Sequence, residues 1–395
     1  MQVSPPQEDS PLRPLIVHMV TRLENGGAQR QTLQIVRELP RTEFDVGLAY
    51  GPGGFLDDQA LAVEDLSLMP LPALQRDMGA ASDLRGLMQT VRALRPHCSE
   101  RPVIVHTHSS KAGVIGRVAA KLAGAHSVVH TVHGFGFHAG GSDVTRAALL
   151  RVEQGMRFFS DWVLTVAQAD RQFGIAKGLM TEARSSVIRS GIDVAAYARK
   201  PELGAALRAE LGIPEAVPVI GTVACFKPQK APLDHVEAFA AFLAHQPSAH
   251  FVWIGDGDEM HSVRTRLAQD PQLASRVHLL GWSDRVVDML SAIDLFLLIS
   301  LWEGLPRSLL EARAAGVPCV VSETCGNPEA IDYGRLGAIV DPRRPDQAAA
   351  ALRSLWNDPE RRAQIAAQAH RGLDAFDARH VTPMHAALYR SLLET

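Results

Sequence analysis

The stretch "DLFLLISLWEGLPRSLLEARAAGVPCVVSE", residues 294–323, holds a complete strand, turn, helix and second strand. "DLFLLIS" is a short, continuous apolar run, the form taken by a strand buried on both faces. Trp302 to Leu305 make the turn, Pro306 suits the first position of a helix, and "RSLLEARAAG" continues helically to Gly316, a residue suited to ending it. "VPCVVSE" is again a buried strand. Two such strands joined by one helix form a parallel crossover unit, so this stretch alone places the chain in the α/β class.

The same pattern extends in both directions. "VPVIGTVACF" (217–226), "AHFVWIGDGD" (249–258), "RVHLLGW" (276–282) and "GAIVD" (337–341) complete one series of strands. An earlier series contains "LIVHMV" (15–20), "FDVGLAY" (44–50), "VIVHTH" (103–108), "SVVHTV" (127–132) and "WVLTVA" (162–167), followed by "SVIRSGID" (186–193). Between them "AAYARKPELG", with Pro201 and Gly204, is polar and turn-rich and marks the junction. Two doubly wound units are therefore expected. Such sheets bind ligands beyond the carboxyl ends of their strands, so two units facing each other would create a cleft.

Bulk properties agree. The 395 residues exceed one core of usual size, and 46% hydrophobic with 21% charged residues is an ordinary globular composition. A formal net charge of -3 argues against broad binding to nucleic acid. Cys98, Cys225, Cys319 and Cys325 form no C-x-x-C pair, which fits a reducing cytoplasm. "MQVSPPQEDSPLRP" lacks the order of a signal peptide and reads as a flexible lead over residues 1–13. No apolar run approaches the roughly 18 to 20 residues that cross a bilayer.

Glu303 and Glu311 stand on either side of a helix start. Free N–H groups and the positive dipole end suit a phosphate there, and a carboxylate at either side can accept hydroxyl hydrogen bonds. The spacing alone also describes a solvated helix start; the flanking "EGLP" and "EARAAGVPCVVS" decide between the two. With them the stretch resembles the E-x7-E signature of retaining nucleotide-sugar glycosyltransferases, family 4, with the GT-B fold of two Rossmann-like domains facing across a cleft.

The resemblance covers residues 14–395. It implies that Glu311 holds the ribose and Glu303, followed by Gly304 and Leu305, the donor sugar, with the N–H groups around Ser308 and Leu309 on the diphosphate. In "VACFKPQKAPLD" (223–234) the family carries an Arg and, five residues later, a Lys. Lys230 matches the Lys; the Arg position falls on Cys225, and Lys227 is the expected substitute. "GDGDEM" (255–260) matches a glycine loop of the family and serves the turn as readily as a ligand.

On the other side "ENGGAQR" (24–30) carries Gly26 and Gly27, which permit close backbone approach, with Gln29 where the family often has Glu. The histidines His106, His108, His130, His133 and His138 all fall within residues 105–138. Zinc is the tempting reading, but no Cys accompanies them, and the H-x-H pairs lie on strands where alternate residues share a face without converging with the others. By the resemblance "TVHGF" marks His133 as the histidine that contacts the donor sugar, and His108 and Lys111 as acceptor contacts. His133, Glu303 and Lys230 are the implied catalytic set. "HTHSSKAGVIGR" is similar to members that build bacterial surface polysaccharides.

The implied activity is transfer of a sugar from a UDP- or GDP-sugar to a glycan or polyprenyl-linked glycan. No metal or cofactor is implied, and the sequence is read as showing no Asp-x-Asp motif of the kind that metal-dependent glycosyltransferases use. The implied place is cytoplasmic, with peripheral contact at the inner face of the cell membrane. "SSKAGVIGRVAAKLAG" (109–124) reads either as a sheet-covering helix or as a surface-lying one. The expected boundaries are an acceptor domain over 14–195, a linker over 196–204, a donor domain over 205–375 and a terminal helix over 376–395 crossing back. Three alternatives stand beside this. A GT-B epimerase would need its own acid and base groups; a nicotinamide dehydrogenase would need G-x-G-x-x-G after the first strand; a degenerate nucleotide-sugar-binding scaffold would explain Cys225.

Overall fold

A computed structural model describes residues 12–75, 79–136 and 143–395. The N-terminal lead up to residue 11 and His138 lie outside the described residues. The first sheet is built from β1 (Leu15–Arg22), β2 (Asp45–Gly51), β3 (Leu66–Pro70), β4 (Val103–His108), β5 (Ser127–Val132), β6 (Trp162–Thr165) and β7 (Ser185–Val187), in the order β3-β2-β1-β4-β5-β6-β7. The second contains β8 (Val219–Val223), β9 (His250–Ile254), β10 (Val277–Leu279), β11 (Leu295–Leu298), β12 (Cys319–Ser322) and β13 (Gly337–Val340), in the order β10-β9-β8-β11-β12-β13. All five pairings of the second sheet are parallel, as are those of β1 with β2 and β4, β2 with β3, and β4 with β5.

The continuous apolar runs become strands because helices cover both faces, leaving no solvent side to alternate toward. Every residue of β4, β9 and β11 is buried. Two expectations change at sheet edges. β3 was absent from the reading because "LSLMP" is half-exposed and ends in proline, which an edge strand tolerates. "SVIRSGID" yields only Ser185–Val187 plus a single bridge between Ile192 and Asp377.

The chain packs as two compact units: Met1–Thr131 with Gly155–Val163 and His385–Thr395, and Val132–Gln154 with Leu164–Met384. The first has a core around Leu15, Val17, Met19, Val103 and Val105. Helix Ser110–Ala123 covers this sheet, burying Ala112, Ile115, Ala119 and Ala120, so residues 109–124 form a sheet-covering helix. The second unit has a larger core around Phe226, Phe239, Phe251, Trp253 and Phe296.

Helix Arg307–Ala314 follows β11 as expected, with one shift: Pro306 occupies the N-cap, φ −71° and ψ 120°, not the first helical position. Gly316, at φ +71°, ends it. The Val317 N–H reaches Ala312 O at 3.0 Å and the Gly316 N–H reaches Arg313 O at 2.9 Å, the paired bonds of a Schellman termination.

Candidate functional site

In the second sheet the strand order reverses between β8 and β11, whose carboxyl ends therefore diverge and leave a crevice. The loop after β8 carries Cys225, Lys227, Gln229 and Lys230; the loop after β11 carries Trp302 and Glu303. The structure brings the two together. Lys230 Nζ pairs with Glu303 Oε1, both side chains largely buried. Gln229 Nε2 donates to Trp302 O at 2.9 Å, and the Leu301 N–H donates to Gln229 O at 2.8 Å. His235, fully buried, accepts the Ile299 N–H at Nε2 (3.2 Å), so its Nδ1–H donates to Ala231 O (3.2 Å). Burial pushes this imidazole down to about 4, so it stays neutral and pins the ends of both loops.

The lysine loop rests on "GDGDEM". The Phe226 N–H donates to Asp256 O at 3.0 Å, and a side chain on Gly255 or Gly257 would run into the carbonyls of Ala224 or Phe226. Asp256-Gly257-Asp258 is an Asp-x-Asp triplet that the sequence reading passed over. Its Asp256 carboxylate accepts the neighbouring Gly257 N–H at 2.7 Å and Asp258 is exposed, so the triplet shapes the turn. Burial raises the Cys225 thiol, with Lys230 and Lys227 partly opposing it. Cys225 is thus neutral, and both lysines stand close enough to act on it electrostatically.

His133 follows β5 directly and is half-buried in the turn. Gly134, at φ +103°, follows it, and a Cβ there would stand 2.6 Å from the Gly304 backbone nitrogen. A Cβ on Gly304 would meet the His133 carbonyl at the same distance. Gly326 closes the stack, its N–H donating to Gly304 O at 2.9 Å. Three glycines therefore let the His133, Glu303 and Cys325 loops touch backbone to backbone. Glu311 is buried on helix Arg307–Ala314, with Leu305 and Leu309 packed into the core and Ser308 half-buried at the helix start. The Leu309 N–H donates to Pro306 O at 3.2 Å, which leaves Ser308 nearer the open end.

Beneath these loops lie residues the sequence reading missed. Glu329 accepts the Gln168 N–H (3.0 Å) and Arg189 Nε (2.7 Å), tying the start of helix Gln168–Ala176 to the Cys325 loop. Asp170, in that helix, is wholly buried. Burial is the main reason its carboxyl is pushed up to about 7; Glu329 and Glu303 add to the rise, while the Cys325 thiol and the Phe135 backbone oppose it. Nothing in the spacing around "VAQADRQF" signals this.

In the first unit the order reverses between β1 and β4. Gly26 caps helix Gly27–Glu38 at the end of β1, with Gln29 folded against it. Lys111 pairs with Asp83 at 2.6 Å. His108 is buried on the face it shares with His106, as the alternation along β4 implies; what the sequence reading missed is a third histidine beside them, His18. His18 of β1 lies in register with His106 of β4, and the ring nitrogens of His18, His106 and His108 lie within 4.8 Å of one another, close enough to hold a metal ion. Those nitrogens already have partners. His18 Nδ1 meets His108 Nε2 at 2.9 Å; His106 contacts the Tyr389 hydroxyl and Thr131 Oγ1, each at 2.6 Å; and the Tyr389 hydroxyl lies 3.3 Å from His18 Nε2. Burial, with His385 and Arg41 adding to it, pushes His18 down to about 3. The cluster reads as a hydrogen-bonded network with a neutral His18 rather than a set of open ligands.

The family model described as Glycosyltransferase Family 4 matches residues 25–196, and that described as Glycosyl transferases group 1 matches residues 205–372. The UDP-Gal:alpha-D-GlcNAc-diphosphoundecaprenol alpha-1,3-galactosyltransferase of Escherichia coli is 34% identical over 343 residues, 84% of this chain and 85% of that protein. The chain belongs to glycosyltransferase family 4. This family 4 member is a glycosyltransferase of glycan biosynthesis with the two parallel-sheet, Rossmann-like domains of the GT-B fold. Its fold matches Anabaena HepE in complex with UDP-glucose (TM-score 0.80, 21% identity, 95% of this chain and 99% of that one). It also matches the sucrose-phosphate synthase of Thermosynechococcus elongatus (TM-score 0.82, 19% identity, 97% and 99%). The epimerase and scaffold alternatives find no support among these relatives.

Proposed function

We propose that this family 4 enzyme transfers a hexose from a UDP-sugar to a polyprenyl-diphosphate-linked glycan, with retention of anomeric configuration and without a metal. The observation that carries the reading is the buried Lys230–Glu303 pair at the reversal of the second sheet. A cation and a carboxylate held there without freedom to reorient suit a reaction in which the leaving diphosphate gains charge as the sugar becomes oxocarbenium-like. The name of the E. coli relative supplies the donor and acceptor classes, and the HepE complex supports a UDP-sugar.

In this reading Lys230 and Lys227 take the developing negative charge, aided by the helix start at Ser308 and Leu309. Glu303, with Gly304, Leu305 and His133, orients the sugar, and Glu311 accepts the ribose hydroxyls. Gly26, Gly27 and Lys111 serve the acceptor, with His108 held in the buried histidine network. No helix among the described residues is long and apolar enough to cross a membrane; the protein meets its acceptor by peripheral contact at the inner face.

The test is transfer from labelled UDP-galactose, UDP-glucose and UDP-N-acetylglucosamine to a polyprenyl-diphosphate-linked N-acetylglucosamine, with and without EDTA. The anomeric configuration of the product is read by NMR. An α-linked product formed equally in EDTA is expected. A β-linked product, or activity abolished by EDTA, would contradict the mechanism; no transfer from any donor would contradict the function.

A further inference from the structure

Helix Ala80–Glu100 turns Gly86, Thr90, Val91 and Leu94 inward. Its outer face is unusual for a surface helix: Leu84 and Met88 stand one turn apart and 61% and 45% exposed, among the exposed arginines Arg85, Arg92 and Arg95. No carboxylate interrupts this face before Glu100, because Asp83 is held by Lys111. Among the described residues Arg85 and Arg95 are engaged only with main-chain carbonyls, of Ala81 and Leu122, and no carboxylate is paired to either. Arg92 has no ion-pair partner among the described residues. Beside the helix lies a groove of about 590 Å³, lined by Pro72, Ala73, Leu84 and Met88 with Arg85 and Arg92. The chain as a whole is net negative, at -3, so attraction of an anionic partner has to be local to such a face.

We propose that this face docks the protein on an anionic lipid bilayer, with Leu84 and Met88 entering the headgroup layer and Arg85, Arg92 and Arg95 meeting lipid phosphates. Apolar residues interleaved with cations along one helix face match the requirements of an interfacial helix. Two large apolar side chains are too few for the desolvated centre of a stable protein interface. Juxtamembrane arginines are held by the negative surface potential within about a Debye length, so salt should release the protein. This deepens the reading of a lipid-linked acceptor and rests on it.

The experiment is co-sedimentation of the full chain with phosphatidylcholine vesicles, with and without phosphatidylglycerol, at low and high salt. Leu84→Ser/Met88→Ser and Arg85→Ser/Arg92→Ser/Arg95→Ser are compared with wild type. Transfer to a water-soluble N-acetylglucosaminyl acceptor is measured in parallel for all three proteins. Binding that requires phosphatidylglycerol is expected, weakening about fivefold for each arginine removed and also on loss of the apolar pair, with unchanged transfer to the soluble acceptor. Binding that ignores phosphatidylglycerol, or survives both sets of substitutions, would overturn the proposal. Survival would also point to another surface, such as the exposed helix Asp143–Met156. If transfer fails in the wild type while vesicle binding holds, the proposed function falls and the docking surface stands. The converse result removes the docking surface alone.

Discussion

Replacing Asp170 by asparagine should stabilise the protein at pH 7.5 and change it little at pH 4. The carboxyl is wholly buried, lies near Glu329 and Glu303, and has no cation paired to it among the described residues. Its pKa rises from 3.8 to about 7, chiefly by burial. The native state therefore keeps a proton that the unfolded chain releases, and stability falls as pH climbs from about 4 to about 7, then levels off. At about 1.36 kcal/mol per pH unit, that window corresponds to roughly 4 kcal/mol. Asparagine keeps the shape, one acceptor and a donor while removing the cost of ionisation. At about 2 °C per kcal/mol for a large unit, the Tm gain at pH 7.5 is on the order of 8 °C. Thermal melts of both proteins from pH 4 to 8 test this. A Tm difference that stays constant across the range would refute the reasoning, as would a variant less stable at every pH, which would mean that the negative charge is needed.

Other outcomes follow from the same geometry. Gly134→Ala places a Cβ 2.6 Å from the Gly304 backbone at φ +103°. It should cost about 1–3 kcal/mol in urea unfolding and at least tenfold in turnover as the His133 and Glu303 loops part; wild-type kcat would contradict this. Lys230→Met strands a buried carboxylate and should destabilise by about 3–5 kcal/mol. Adding Glu303→Gln should restore most of that stability while transfer stays lost, and a double variant no more stable than the single would show that the pair is not coupled. Tyr389→Phe removes the hydroxyl between His18 and His106 and should cost about 1–3 kcal/mol by urea titration, with little change in kcat.

The fold was legible because buried parallel strands leave an unmistakable trace: each of the twelve quoted runs overlaps a strand found in the structure. β3 was not, since half-exposed "LSLMP" looks like any loop ending in proline. The E-x7-E stretch and Lys230 could be read from types and spacing because they belong to one turn and one loop. What could not be read were the partners brought in from distant strands. Gln229 bonding Trp302, Gly134 pressed on Gly304, and Glu329 tying Gln168 to Arg189 are properties of the assembled sheet ends. The histidine cluster shows the same limit. Spacing along β4 places His106 and His108 on one face, but only the register of β1 against β4 adds His18.

The most direct measurement is calorimetric titration of UDP and UDP-galactose into the wild type and Glu311→Ala, without metal. Specific binding that weakens about tenfold or more in the variant, while the melting temperature of the free protein is little changed, is the predicted result. Uridine nucleotides that do not bind, or that bind both proteins equally, would contradict the donor site drawn around Glu311, Lys230 and Glu303.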